Sequence, residues 1–477
     1  MVTADFINQL HNYAKCIGEG HIYLPTAMLA QGARLMAAGV NVQFHDENIK
    51  KAELHGEHVA IGLLGHPYIP DAIKRQKEVL EEYPDAKVYL GGQVIGQLPE
   101  DQFHRLFGED ALNGNDSTVL EDLVDGGPLH ILGQSKLQTP EETSLIPAYE
   151  VLGDDMLEQY LTQENEDGEL VGREFSFYVS QGCAKACSFC TADRNRPGQP
   201  EVGEKYRDQG IMKDELEYLI QKQKSFGVDE LNIYMSNLDI FQTPDELHEF
   251  AKNVIDLKEK YEGFEINLRG LACVESFLDI RDNHSEVLDD IVKAGLHTVG
   301  YGVDGMNTPN VPLWKKIGKA HNKKEECLEA IRSTREDYGI TPEVLMVFGH
   351  NKADEPETLE AAYQFCIAMY EMYGAIARPH IAKAFAPGNK GWGEEQYRWQ
   401  VEKLLENPEL FQCLDFLALP TELTHPDPVL RAMATKYFLK ICDIAGSTSI
   451  PIEPVLPGMG ASEIAGVKLR NNGRFDR

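Results

Sequence analysis

The stretch FSFYVSQGCAKACSFC, residues 175–190, places three cysteines directly after a short apolar run. Cys183, Cys187 and Cys190 fall within eight positions of a chain that has nine cysteines among its 477 residues. The run FSFYV is typical of a buried strand, and the glycine that follows indicates a turn. The pattern therefore predicts that the three cysteines lie in a loop at the carboxyl end of a strand.

The sequence after this stretch continues as a regular alternation of apolar runs and amphipathic helical stretches, six strand and helix units in all. Such alternation predicts a parallel sheet with right-handed crossovers. Six units predict a partial or full parallel barrel, and we expect the partial (β/α)6 form. The chemistry of such barrels lies at the carboxyl ends of the strands. The predicted strands are FSFYV, DELNIYM, FEINLRG, HTVGYGV, TPEVLMVFG and ARPHIAKAF.

The first part of the chain shows a second α/β alternation. The runs DFINQL, VNVQFHD, HVAIGLLG and AKVYLGGQ predict strands, and PTAMLAQGARLMAAG and PDAIKRQKEVLEEYPD predict helices. This order favours an open, parallel, flavodoxin-like (Rossmann-type) sheet. Such sheets bind ligands beyond the carboxyl ends of their strands, where the loops around Pro25, Gly65 and Gly91 are expected to meet.

These patterns divide the chain into four parts. We expect an α/β domain over residues 1–128 and the partial barrel over residues 172–390. Residues 129–171 have many turn residues and an acidic run, which favours a linker lying on the surface. Residues 391–477 are mostly helical in pattern, and we expect them to cap the barrel and shape a substrate pocket.

The composition of the chain limits the classes of partner that it can bind and the cell compartment in which we expect it. The net charge is −32, from 77 acidic and 45 basic residues, which disfavours a nucleic-acid partner. The simplest explanation of this acidity is solubility or a saline environment. No apolar stretch approaches the roughly 20 residues that span a bilayer, and the first residues do not resemble a signal peptide. We therefore expect a cytoplasmic protein, in which a tight cysteine cluster binds metal more often than it forms disulfides.

The cysteine spacing is best suited to an iron–sulfur cluster. Thiolates hold such clusters, usually four at a time. Three cysteines would leave one iron of a 4Fe–4S cluster without a protein ligand, and an open position is typical of a reactive metal site. A structural zinc site is the alternative, but residues 191–200 offer no fourth cysteine or histidine.

The motif CxxxCxxC, with Phe189 before the last cysteine, resembles the signature of the radical S-adenosylmethionine (SAM) superfamily. The barrel pattern that follows is similar to the fold of that family. The resemblance implies that the open iron binds the amino and carboxylate groups of SAM. It also implies that an electron from the cluster splits SAM into methionine and a 5′-deoxyadenosyl radical, with Phe189 near the adenine.

The resemblance also suggests other SAM contacts. Ser236, Asn237 and Asp239 follow the second barrel strand, where relatives place polar residues that meet the methionine part of SAM. This chain lacks the frequent Gly-Gly-Glu at that point, and turn or capping duty is the alternative. Arg269 is a candidate for the SAM carboxylate or ribose, and Gly349 for the loop that approaches the adenine. An exposed arginine and a plain turn glycine are the respective alternatives.

The α/β domain ahead of the cysteine motif resembles the cobalamin-binding domain of the cobalamin-dependent branch of this family. The resemblance assigns Pro25, Thr26, Gly65, Gly91 and Gly92 to the cobalamin site. The acidic Gly-Glu-Gly-Glu loop that is frequent in the family is replaced here by LNGNDSTVLEDLV.

The chain has no DxHxxG motif of the kind that places a histidine beneath cobalt. His11 and His21 are the only histidines in the loop after the first strand, and neither follows an aspartate at the required spacing. We therefore expect cobalamin to bind with its own base displaced and without a protein histidine below the metal. Leu24, Pro25 and Thr26 would close the site.

The resemblance implies methylation of an unreactive carbon or phosphorus centre in a small biosynthetic intermediate, with methylcobalamin as the methyl donor. An electron donor such as flavodoxin or ferredoxin is implied as a partner. A non-methylating rearrangement or cyclisation is the first alternative, and a non-catalytic cobalamin or iron–sulfur sensor is a remote one. Methylthiotransferases are disfavoured because Cys16 is the only cysteine before Cys183.

Two basic segments stand out in this acidic chain. The first carries Arg378, His380, Lys383 and Lys390 without any acid, and residues 311–324 carry five lysines and one histidine. Both follow predicted barrel strands, so they could create positive potential at the barrel mouth. This predicts a substrate with a carboxylate, phosphate or phosphonate group. Lysines on solvated helix faces are the alternative.

Overall fold

The computed structural model describes most of the chain as a folded α/β protein. The described residues are 3–8, 24–55, 57–63, 65–92, 94–115, 138–183, 204–304, 323–348, 355–382, 398–415, 417–423 and 427–444. No helix within these ranges combines the length and the apolar character needed to cross a membrane.

The first sheet has five parallel strands in the order β2-β1-β3-β4-β5. This is the doubly wound, flavodoxin-like order, and the direction of winding reverses between β1 and β3. The prediction for this part of the chain is therefore confirmed. The strands are β1 (Thr3–Asn8), β2 (Asn41–Asp46), β3 (His58–Gly62), β4 (Lys87–Gly91) and β5 (Leu112–Asn113). The helices beside them are α1 (Thr26–Ala37), α2 (Ile69–Glu82) and α3 (Glu100–Phe107).

A glycine allows α1 to lie close to the sheet. A Cβ atom added at Gly32 would lie 2.3 Å from the Phe44 ring, so a larger residue would push the helix away from β2. Leu29 and Ala33 on the same helix are buried against the sheet. Close packing here outweighs the low helix propensity of glycine.

The segment before the barrel differs from our expectation of a surface linker. Two short helices, α4 (Ile146–Leu152) and α5 (Asp154–Leu161), bury Tyr149 and Tyr160 in the main core. Only the hairpin of β6 (Thr162–Glu164) and β7 (Leu170–Gly172) carries the exposed acidic run. Helices of two turns have too few residues for their periodicity to stand out among the turn residues. Residues 129–137 lie outside the described ranges, and the domain boundaries themselves stay predictions.

The second sheet has six parallel strands in the order β8-β11-β12-β13-β14-β15. Neighbours in this sheet are also neighbours along the chain, as in a partial barrel, so this prediction is confirmed. The strands are β8 (Glu174–Phe177), β11 (Glu230–Met235), β12 (Glu265–Ala272), β13 (Leu296–Gly302), β14 (Thr341–Phe348) and β15 (Ile376–Ile381). The short β9 (Ser180–Gln181) and β10 (Lys205–Tyr206) form a separate antiparallel ladder. The helices are α6 (Gln209–Ser225), α7 (Pro244–Lys260), α8 (Val274–Asn283), α9 (Ser285–Ala294), α10 (Lys324–Glu336) and α11 (Pro356–Tyr373).

The two faces of the barrel sheet have different chemistry. Alternate residues such as Phe177 and Leu268 are buried in the apolar core, and the ring of Phe177 lies 6.5 Å from that of Phe250 on α7. Several of the intervening residues, among them Tyr234 and Arg269, are polar or charged, and these two contact each other. Because side chains alternate along a strand, the apolar side chains face the helices outside the barrel, and several polar side chains face its interior.

The described parts of the C-terminal region pack against two different parts of the fold. Its first part contains α12 (Arg398–Glu406) and a 3-10 helix (Pro408–Leu414), and its apolar side chains share a core with α2 and α3 of the first sheet. Arg105 on α3 pairs with Glu402 on α12 at 3.0 Å. The helix α13 (Pro428–Cys442) instead packs beside β15 and α11. The chain thus returns to the first sheet because that sheet has an apolar face left to cover.

Candidate active site

The loop that carries the cysteine motif starts and ends on the ladder of β9 and β10. Ser180 pairs with Tyr206, and Gln181 pairs with Lys205. The chain leaves this ladder at Gly182, whose φ of 100° favours glycine, and reaches Cys183 directly afterwards. Cys183 is partly exposed and follows the first barrel strand, as predicted. Cys187, Phe189 and Cys190 lie outside the described residues.

A partly buried carboxylate joins the two ends of this loop to the segment after the next strand. Glu204 accepts hydrogen bonds from Ser180 Oγ at 2.5 Å, from Thr243 Oγ1 at 2.5 Å and from Asn237 Nδ2 at 2.8 Å. Asn237 Nδ2 also donates to Ser180 Oγ at 2.8 Å. Burial raises the pKa of Glu204, and the three donors partly offset that shift. We name Ser180, Glu204, Asn237 and Thr243 the loop-base network.

The three residues predicted to meet the methionine part of SAM do lie beside this network, after β11. Ser236 Oγ accepts a hydrogen bond from the Val179 N–H at 3.4 Å, and Asn237 is buried in the loop-base network. Asp239 is fully buried and accepts from Ser276 Oγ at 2.6 Å and from the Cys273 N–H at 3.2 Å. Burial raises the pKa of Asp239. These contacts agree with the alternative that the three residues stabilise the turn after β11. Their role in SAM binding stays a prediction.

Arg269 lies on the inner face of the barrel, three residues before the end of β12. Its Nη2 lies 2.8 Å from Glu343 Oε2, and its Nη1 lies 2.9 Å from Glu174 Oε1. Arg378 Nη2 lies 2.7 Å from the other oxygen of Glu343. The Arg269 guanidinium also lies 5.0 Å from the centre of the Tyr234 ring. Arg269 therefore already has protein partners in the strand interior, and its contact with SAM stays a prediction.

This inner layer is balanced in charge. Burial alone would raise the pKa of Glu343, but Arg378 and Arg269 lower it, so the carboxylate stays ionised. Two carboxylates and two guanidinium groups thus neutralise one another. We name Glu174, Arg269, Glu343 and Arg378 the barrel floor, because Glu343 and Arg378 are both third in their strands and lie below the carboxyl ends.

The predicted substrate cations are less available than the sequence suggested. Arg378 belongs to the barrel floor, and burial lowers the pKa of His380 to about 4, so this histidine is neutral at pH 7. Lys383, Lys390 and the basic segment 311–322 lie outside the described residues, as does Gly349. The described part of the site therefore adds no net positive charge, and an anionic substrate stays a prediction.

The residues assigned to cobalamin lie at the carboxyl edge of the first sheet. Pro25 precedes α1, and Thr26 Oγ1 donates to the Ser176 carbonyl of β8 at 3.0 Å. Tyr160 on α5 donates a hydrogen bond to Asp46. Asp46 pairs with Asn8 on the neighbouring strand and accepts a hydrogen bond from Asn8 Nδ2 at 2.8 Å. This edge is therefore attached directly to the first strand of the barrel and to the helix before it.

The glycines at this edge have separate physical explanations. Gly92 has a φ of 119°, and a Cβ atom there would lie 2.0 Å from the Leu63 carbonyl oxygen. The loops after β3 and β4 can therefore approach each other this closely only because residue 92 is a glycine. Gly65 has an extended backbone, and a Cβ atom at Gly91 would meet only Asn115, at 3.7 Å. Asn115 Oδ1 accepts a hydrogen bond from the Gly92 N–H at 3.0 Å, and Asn115 Nδ2 donates one to the Gly92 carbonyl at 2.6 Å.

The sequence did not predict the residues whose hydrogen bonds hold the loops of the site in place. Glu204, Thr243 and Asn115 stand in no recognisable local pattern, and their roles depend on chain segments that meet only in the fold. Asn115 does lie in LNGNDSTVLEDLV, the segment that replaces the acidic loop of the family. His11 and His21 lie outside the described residues.

Comparison with known proteins identifies the class of the barrel. Residues 177–362 match the family model of the Radical SAM superfamily. The chain therefore contains a radical SAM domain, and the prediction from the cysteine motif is confirmed for that domain. No curated protein sequence matches the chain.

The fold as a whole resembles that of a solved cobalamin-dependent enzyme. The apo, selenomethionine-labelled structure of the cobalamin-dependent S-adenosylmethionine radical enzyme OxsB has a TM-score of 0.52 and 13% identity, over 77% of this chain and 52% of OxsB. This chain thus spans about half the length of OxsB. A radical SAM methyltransferase from Sphaerobacter thermophilus gives a TM-score of 0.30 and 13% identity, over 46% of this chain and 57% of that one.

The loop-base network gives a testable prediction. Replacing Glu204 by leucine leaves the hydroxyls of Ser180 and Thr243 without their acceptor and removes one of the two acceptors of Asn237 Nδ2. We expect a loss of about 2–3 kcal/mol in stability. We also expect less iron per chain after reconstitution, because both ends of the cysteine loop depend on this carboxylate. Glu204→Gln, which keeps one acceptor oxygen, is the control. Unchanged iron content and unfolding midpoint in Glu204→Leu would show that the network does not support the loop.

Proposed function

We propose that this protein is a cobalamin-dependent radical SAM methyltransferase that acts on an unreactive carbon or phosphorus centre of a small, anionic biosynthetic intermediate. The observation that carries the proposal is the direct attachment of a flavodoxin-like sheet to a radical SAM barrel. Thr26 joins the carboxyl edge of the first sheet to β8, and the cysteine loop begins six residues after β8 ends. A group held at that edge would therefore lie on the side of the barrel where its first strand ends and its cysteine loop begins.

The residues present fit the chemistry of the proposed groups. Cys183, Cys187 and Cys190 would supply the three thiolate ligands of a 4Fe–4S cluster with one open iron. The open switch point between β1 and β3, bordered by Pro25, Thr26, Gly65, Gly91 and Gly92, suits a large planar ligand such as cobalamin. When bound, the cluster supplies the electron that cleaves SAM, and the cobalamin supplies the methyl group.

The chain itself contributes orientation and exclusion of water. The barrel floor fills the interior below the carboxyl ends with paired charges, so a substrate would lie above it, near Ser236 and the cysteine loop. Because the floor has no net charge, its field on a substrate radical is small. His380 lies on the same inner face, and burial lowers its pKa to about 4, so it adds no charge beside a substrate.

The proposal includes a reducing partner and a compartment. A small electron donor such as flavodoxin or ferredoxin would reduce the cluster, and the cytoplasm would keep the three thiols reduced. The test of the proposal is the ratio of methyl transfer to 5′-deoxyadenosine release by the purified, reconstituted protein. Release of 5′-deoxyadenosine without methyl transfer would favour the rearrangement alternative, and neither product would favour a sensor.

The lower face of cobalt gives a further prediction. We expect electron paramagnetic resonance of the bound cobalt(II) form to show no nitrogen splitting from an axial imidazole, because no histidine of the chain stands in a DxHxxG motif. Weak or absent lower ligation would favour the nucleophilic cobalt state that accepts a methyl group from SAM. The measurement is made on the wild type and on His11→Ala and His21→Ala. Nitrogen splitting that disappears in either variant would contradict the prediction.

A further inference from the structure

Three residues of the first sheet bring metal-ligating atoms together outside the proposed active site. Asp5 lies on β1, His45 lies on β2, and His55 precedes β3. One ligand atom from each lies within 4.8 Å of the other two. Asp5 is fully buried, the His45 side chain is 15% exposed, and His55 is exposed. The cluster is thus anchored inside the sheet and open to solvent on one side.

The contacts within the cluster already orient two of its members. His45 Nε2 lies 3.0 Å from Asp5 Oδ1, and the His55 backbone N–H donates to Asp5 Oδ2 at 3.0 Å. The carboxylate therefore fixes the position of His45 and of the loop that carries His55. Only the exposed side chain of His55 must select a rotamer in order to face the other two.

We propose that Asp5, His45 and His55 bind a divalent transition-metal ion, with Zn²⁺ as the best match. Two imidazoles and one carboxylate are ligands that Zn²⁺ accepts at about 2.0–2.2 Å, which puts neighbouring tetrahedral ligands about 3.4 Å apart. The 3.0 Å contact between Asp5 and His45 therefore needs to open by only a few tenths of an ångström. The exposure of His55 leaves the fourth position to water.

The site is independent of the proposed active site. Along β1, Ala4 and Phe6 belong to the core shared with α1, whereas Ile7, on the same face as Asp5, belongs to the core shared with α2 and α12. Asp5 therefore faces away from α1. It is also third of the six residues of β1, below the carboxyl edge assigned to cobalamin. A bound ion would link β1, β2 and the loop before β3, so its effect is on the stability of the first sheet.

The test is Zn²⁺ binding by the full-length protein after its iron–sulfur cluster has been reconstituted, so that the cluster thiols are occupied. Isothermal titration and the thermal midpoint are measured for the wild type, His55→Gln and His45→Gln. His55 is exposed, so its substitution leaves the fold intact even where His45→Gln weakens it. His104→Gln, on α3 and outside the cluster, is the matched control.

We expect one Zn²⁺ per chain in the wild type and in His104→Gln, with a raised thermal midpoint. We expect His55→Gln and His45→Gln to bind at least about tenfold more weakly. Co²⁺ is expected to give the absorption of a tetrahedral site in the wild type and to lose it in His55→Gln. The proposal is overturned if the wild type does not bind Zn²⁺, or if both variants bind it as tightly as the wild type. Neither result bears on methyl transfer.

Discussion

The variant in which Cys183, Cys187 and Cys190 are all replaced by alanine is expected to hold no 4Fe–4S cluster and to release no 5′-deoxyadenosine from SAM. Alanine offers no donor atom, and a cluster without thiolate ligands is not retained. The wild type, reconstituted under the same conditions, is expected to hold about four irons per chain. The loss should be complete, because we predict that the three cysteines supply all the protein ligands of the cluster.

Iron and sulfide analysis of both proteins checks this prediction, with Cys366→Ala as the matched control. Cys366 is buried in α11, and burial raises the pKa of its thiol to about 12, so it is protonated and is not a thiolate ligand. The control should therefore keep its cluster. Retention of about four irons per chain by the triple variant would mean that other residues ligate the cluster.

Replacing Arg207 by methionine is expected to lower stability by about 3–5 kcal/mol, because it leaves a buried carboxylate without its partner. The side chains of Arg207 and Glu215 are both fully buried and meet in two contacts of 2.6 and 2.7 Å. Arg207 also donates to the Thr143 carbonyl at 2.8 Å and the Tyr178 carbonyl at 3.0 Å, and Glu215 accepts from the Leu145 N–H at 2.6 Å. The pair thus joins the segment before the barrel, the end of β8 and α6.

Urea unfolding followed by circular dichroism measures this loss. Arg105→Met breaks the exposed pair with Glu402 and serves as the control, with an expected cost below about 1 kcal/mol. The double variant Arg207→Met/Glu215→Leu should be more stable than Arg207→Met alone, because it removes the stranded charge. If Arg207→Met unfolds at the same urea concentration as the wild type, the pair does not hold these segments together.

The two sheets were predictable because their strands and helices each have a clear period. Alternating apolar runs predicted a flavodoxin-like sheet and a partial barrel, and the structure has both. The helices α4 and α5 were not predicted, since Tyr149 and Tyr160 are buried by neighbours distant in the chain. The packing of α12 on the first sheet was not predicted for the same reason. The apolar face that it covers belongs to residues about 300 positions earlier, as the pair of Arg105 and Glu402 shows.

Only those site residues that stand at a characteristic spacing in the sequence could be predicted. The cysteine motif identified the radical SAM domain, because three thiols at fixed intervals have few other uses. Asp239 and Arg269 were chosen from their place after or within a strand, and the fold gives them partners on other strands. Glu204 was missed because an isolated glutamate has no pattern, and only the ladder of β9 and β10 brings it to Ser180.

The most direct test of the central claim requires no knowledge of the substrate. The purified protein, reconstituted with its cluster and supplied with cobalamin, a reductant and SAM labelled in its methyl group, is analysed for the label and for 5′-deoxyadenosine. We expect labelled methylcobalamin together with S-adenosylhomocysteine, and 5′-deoxyadenosine that is absent from the triple cysteine variant. Release of 5′-deoxyadenosine with no label on protein-bound cobalamin would contradict the proposal that this radical SAM protein is a cobalamin-dependent methyltransferase.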